Sequence, residues 1–116
     1  MRIRNLCFRI GPPLGLPEIK TGDNVLTQDD GAFDVVTNWT CDASPTRWSF
    51  ILYYKPFGET SFGIVRNLLV NGTKRTSNSG LTISPGDQVY ATIQGQYPEG
   101  LGPLFTTATV TAPPFV

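Results

Sequence analysis

Along this chain apolar residues recur at every second position, in short runs cut by turn residues. In RWSFILYYK, Trp48, Phe50, Leu52 and Tyr54 alternate with Arg47, Ser49, Ile51 and Tyr53. AFDVVTNWTC puts Phe33, Val35, Thr37, Trp39 and Cys41 on one side and Asp34, Val36, Asn38 and Thr40 on the other. In VYATIQG the inward set is Val89, Ala91 and Ile93, and in NLCFRI Leu6, Phe8 and Ile10 share a face. A period of two marks a strand with one buried face. No segment carries the 3.6-residue period of an amphipathic helix. Both sides of RWSFILYYK are rather apolar, which makes it a central strand, and Trp39 is the expected anchor of the core.

Turn signals divide these runs. Asp30-Gly31, Lys55-Pro56-Phe57-Gly58 and Ser84-Pro85-Gly86-Asp87 read as turns, and Asn71-Gly72 is the strongest short hairpin signal. TSFGIVRNLLV supplies a short edge strand led by Phe62 and Ile64, and LFTTATVT a β-branched closing strand. The expected fold is all-β: an antiparallel two-sheet sandwich of about seven or eight strands. GPPLGLPEIKTG is too rich in proline for a central strand and reads as an extended connection with room for a short edge pairing around Glu18–Lys20, and NVLTQDDG reads as a turn. The expected organisation is an N-terminal strand or arm with its proline-rich connection over 1–22, the sandwich over 23–112, and a proline-rich tail over 113–116.

A length of 116 residues fits one core, and a charged share of 16% lies under the roughly 25% of an average soluble protein. Nine basic and nine acidic side chains cancel, so no global field draws the chain to nucleic acid or an anionic membrane. Locally, Arg2, Arg4, Arg9 and Lys20 precede an acidic stretch of Asp23, Asp29, Asp30, Asp34 and Asp42. No stretch is apolar enough to span a bilayer, and MRIRNLCFRIGPP lacks the apolar run of a secretory signal. That leaves a chain intracellular as made or a mature exported form, with a virion surface or extracellular assembly as the favoured location.

The chemistry is mostly exclusions. Histidine is absent, which removes the commonest general base and most zinc and copper ligand sets. No phosphate-binding glycine motif or nucleophile elbow occurs. Asp23, Asp29, Asp30 and Asp34 lack the spacing of a calcium loop and read as solvated turn residues. No catalytic residue, cofactor or metal ligand is expected. The thiols of Cys7 and Cys41 read as two ordinary cysteines, with a single bridge between them as the alternative. Trp48, Tyr53, Phe57, Phe62 and Tyr97 are candidates for an aromatic platform that stacks a sugar, with Tyr53, Phe57 and Tyr97 the ones expected outward, against the plainer reading that most of them fill the core.

From about Asn24 to Ala112, three quarters of the chain, the sequence resembles a fibronectin type III domain. VVTNWT is similar to the family's tryptophan-bearing second strand, FILYYKPFGETSF to its third strand and turn, and LTISPGDQV to its leucine–proline–glycine corner. A glycine-rich loop before a threonine-rich last strand also agrees. The family sets its corner tyrosine four residues after the proline, where this chain has Val89, and Tyr90 follows one residue later. A one-residue shift turns a side chain to the other face. Either a bulge restores it, or the chain is another immunoglobulin-like sandwich.

The resemblance implies a non-catalytic structural or docking module, used in cell-surface arrays and in viral capsid or tail accessory proteins. Its partners would be proteins of the assembly, copies of itself included, and the alternative is a lectin that binds a glycan. On the docking reading Leu6, Phe8 and Ile10 add to a sheet edge, while Pro12, Pro13, Pro113, Pro114 and Phe115 lie in grooves of a partner.

Overall fold

The computed structural model describes residues 15–115. Two antiparallel sheets face one another across a continuous apolar layer. The strands are β1 (Ile19–Asp29), β2 (Ala32–Cys41), β3 (Arg47–Lys55), β4 (Gly63–Asn71), β5 (Thr76–Ile83) and β6 (Gln88–Tyr97). Three short pairings complete the set: β7 (Gly100–Leu101), β8 (Phe105–Thr106) and β9 (Val110–Thr111). One sheet has the order β1-β2-β5, and the other runs β4-β3-β6 with β7, β8 and β9 all pairing with β6. Three strands in one sheet against a four-strand order in the other make an immunoglobulin-like, fibronectin type III-like sandwich.

Parity decides what is inside. Val35, Trp39, Trp48, Phe50, Leu52, Val89, Ala91 and Ile93 are all buried, as the alternation requires. Trp39 meets Trp48 edge-on at 5.7 Å and stacks on Phe50 at 6.2 Å. Each such ring withdraws about 150–250 Å² from water, or roughly 4–6 kcal/mol of gross transfer free energy. Trp48 also donates its indole N–H to the Lys74 carbonyl at 2.8 Å, and the Arg75 guanidinium lies 5.1 Å over its ring.

Polar side chains close the two lateral openings of the sandwich. On one side Asn24 of β1 donates to Thr107 Oγ1 (2.8 Å) and accepts from Thr37 of β2 (2.6 Å). Thr107 in turn accepts the Ala91 amide of β6, so one buried chain of hydrogen bonds ties both sheets. On the other side Arg66 of β4 donates to the Ser79 carbonyl of β5 at 2.7 Å. Thr107 turned inward is also why the closing segment, expected as one strand, pairs in pieces.

Several expectations change. Residues 19–22, read as part of a connection, begin β1 and pair with β2. That strand is hard to see because its exposed face is Thr, Asp and Lys. It ends at Asp30-Gly31, both at positive φ (48° and 83°), the backbone of a tight hairpin. Asn71-Gly72 does not make a hairpin, since β4 and β5 lie in different sheets. Its glycine is needed for a crossing: a Cβ on Gly72 would sit 1.7 Å from the Pro45 carbonyl oxygen. Finally, β3 and β6 pair without a register shift, so no bulge restores the corner tyrosine. Val89 is core and Tyr90 faces out.

Candidate functional site

The outer face of β4-β3-β6 is where side chains with binding chemistry gather. Register sets the rows: Ile64 lies opposite Tyr53, and Tyr53 opposite Tyr90. Directly opposed residues share a face, so these three form one row across three strands. The two tyrosine rings are parallel, 4.5 Å apart with 6° between their planes. Phe62, in the segment leading into β4, meets Tyr90 edge-on at 4.9 Å. Further along, Ile51 faces Thr92 and Leu69 faces Ser49. Ile64 is 58% exposed and Leu69 61%. The face is therefore one aromatic and apolar row followed by two mixed rows, Asn67–Ile51–Thr92 and Leu69–Ser49–Gln94, with Arg47 bound to Gln96 at one end (2.7 Å) and Lys55 at the other.

Below the row the turn after β3 is pinned by Asp87. Its carboxylate accepts from the Tyr54 hydroxyl (2.9 Å), the Phe57 amide (2.8 Å) and the Ser84 amide (2.9 Å). Burial opposes its charge, but these three donors outweigh that and hold the carboxyl below its ordinary range. Burial first, and the bond to Asp87 second, raise the Tyr54 hydroxyl. Phe57 lies over Gly86 with its ring 78% exposed.

Of the five platform candidates, Tyr53 and Phe62 come together, both against Tyr90, and the other three do not. Trp48 is fully buried, a core residue because β3 is central and position 48 has inward parity. Tyr97 folds over Gly95 and Gly102 at the opposite end of β6, with its hydroxyl 3.9 Å from Cys41 Sγ. Burial there, reinforced by Cys41, pushes that phenol up to about 12. Tyr53 is on the outer face and Phe57 in the turn below it. Tyr90 and Ile64, which were not among the platform candidates, are the residues opposite Tyr53; the uninterrupted alternation of β6 was the signal that would have placed Tyr90 there.

Leu6, Phe8, Ile10, Pro12 and Pro13, together with Cys7, lie outside the described residues. Pro113, Pro114 and Phe115 follow β9 on the surface, and Phe115 stacks one ring face on Phe33 at 5.3 Å. Among the described residues Cys41 has no disulfide partner. Lys20 pairs with Asp42 at 2.8 Å on the surface. Among the described residues no three His, Cys, Asp or Glu side chains converge as metal ligands, and Trp39 Nε1 is the buried side-chain polar atom left without a partner.

No protein-family model matches this chain, and no curated protein matches it. Among solved structures, an FN3 domain of human collagen XX is similar at 18% identity, over 85% of this chain and 100% of that one, with a TM-score of 0.45. The fold assignment rests on the strand order described above.

Proposed function

We propose that this chain is a non-catalytic docking module of a larger assembly, and that it meets a protein partner with the outer face of β4-β3-β6. The observation behind this reading is the row Ile64–Tyr53–Tyr90 with Phe62 against it, uncovered among the described residues, and Leu69 exposed two rows further along. Contiguous apolar surface of this kind is what soluble proteins keep for contacts. Tyrosine in particular anchors interfaces, because it buries a large ring with little side-chain entropy to lose.

The row favours a protein over a sugar. A sugar stacks on the flat face of an aromatic ring, whereas Tyr53 and Tyr90 lay their flat faces on each other. What they show outward is ring edge and hydroxyl. The setting we favour is a viral capsid or tail, in which the chain would be an accessory subunit; that last step is analogy from the fold.

The test is a double variant, Tyr53→Ser with Tyr90→Ser, assayed for incorporation into the native assembly. The variant should keep its β-sheet circular dichroism and lose at least tenfold in incorporation. Undiminished incorporation would refute the docking face. Glycan-array binding that disappears with the same two substitutions would replace the reading with a lectin.

A further inference from the structure

Strand β4 is the free edge of its sheet: among the described residues it pairs with β3 alone. Exposed edges are usually blunted by charge, proline or polar residues. The edges of the other sheet follow that rule, β1 with Lys20, Asp23 and Asp29 and β5 with the polar run Thr76–Gly80. β4, with the sequence GIVRNLLVN, does not. It has no lysine or proline, and its one charged side chain, Arg66, is drawn inward to the Ser79 and Val65 carbonyls. Leu68 sits opposite buried Phe50 and so points to the core side, yet it is 37% exposed because none of the described residues covers that edge.

We infer that β4 pairs with β4 of a second copy of this chain, antiparallel about a twofold axis at Leu68. This inference builds on the docking reading and names one occupant for its edge. Two sandwiches that keep their inner and outer faces aligned must pair residues of equal parity, so the axis passes through a residue. Centring it on Leu68 sets Leu68 against Leu68 of the second copy, Asn67 against Leu69, and Arg66 against Val70. Leucine then covers leucine at the exposed rim of each core. The two Arg66 side chains are four residues apart along the ladder, about 13 Å, and do not oppose each other. A formal net charge of zero adds no repulsion between copies.

The register shift in β4 opposite Leu52 and Tyr53 bends the start of the strand and confines pairing to about Arg66–Val70. A strip of that length buries on the order of 300 Å² per copy, well short of the roughly 800 Å² of a standard interface. The contact is accordingly weak for two isolated copies and is strengthened where an assembly holds many of them close together.

The test is sedimentation equilibrium of the purified chain from ten micromolar to about one millimolar. Wild type should show a reversible monomer–dimer equilibrium in that range. Leu68→Lys and Leu68→Glu, each checked for native circular dichroism, should each weaken self-association at least tenfold by setting like charges across the axis. An equimolar mixture of the two should dimerise again, a rescue only a self-opposed residue can give. A monomer throughout, or dimers indifferent to both variants, would overturn the inference. Either result leaves the Tyr53/Tyr90 experiment to judge the docking reading separately, because that experiment reads a different surface and a different partner.

Discussion

The two sheets turn opposite kinds of surface to the outside. Across the three-stranded sheet the outer rows read Thr21 against Thr40, Asp23 against Asn38, Val25 against Val36, and Thr27 against Asp34, with Asn78 and Thr82 of β5 beyond, so that a single valine pair interrupts a polar face. Hydroxyls there bond to one another, as Thr21 and Thr40 do at 2.7 Å. Across β4-β3-β6 the corresponding rows hold Ile64, Tyr53, Tyr90, Ile51 and Leu69. Both faces lie over the same core, so folding alone does not account for the difference. One face is built to stay hydrated, and the other gains by being covered.

The comparison can be broken at three depths. The largest effect belongs to the support under the apolar face. Asp87→Ala removes the acceptor of three hydrogen bonds and should cost about 2–4 kcal/mol in chemical denaturation. The wild-type carboxyl is held below its ordinary range, so its contribution is complete above that range and fades as pH falls through it. Wild type should thus lose stability from just under pH 4 downward, and the variant should lack that part of the acid limb.

A smaller effect is expected within the face itself. In a double-mutant cycle, Tyr53→Ala and Tyr90→Ala should couple by about 0.5–1.5 kcal/mol in folding free energy, the usual worth of a ring pair beyond its area. Additive losses would mean that the rings are neighbours by register only. The smallest effect is on the polar face: Asn38→Ser should change stability by less than about 0.5 kcal/mol. It should also leave incorporation into the assembly unchanged. An incorporation defect matching that of the tyrosine variant would erase the distinction between the two faces.

How far the sequence reaches follows from which forces are local. The inward sets of β2, β3 and β6 are legible because burial and alternation coincide there, from Phe33 through Trp39 and from Trp48 through Leu52. β1 is not, since an edge strand whose outer face is threonine and aspartate resembles a loop. The splitting of the last strand depends on Thr107 meeting Asn24, which lies 83 residues earlier, and no local pattern records such a partner. The candidate face was half visible. Tyr53 was selected as an aromatic of outward parity, but Trp48 and Tyr97 were grouped with it by residue type, which says nothing of the end or the side a ring occupies. Assembling the row needed the register of β3 against β6.

The corner bond has one more outcome. In this chain the hydroxyl that secures the turn before β6 comes from Tyr54 on the neighbouring strand, and Tyr90 takes no part in it. Position 90 is thereby released from scaffolding duty in the middle of an exposed surface. Homologous sandwiches built this way would be free to exchange that residue as their counterparts change, with the framework beneath left as it is.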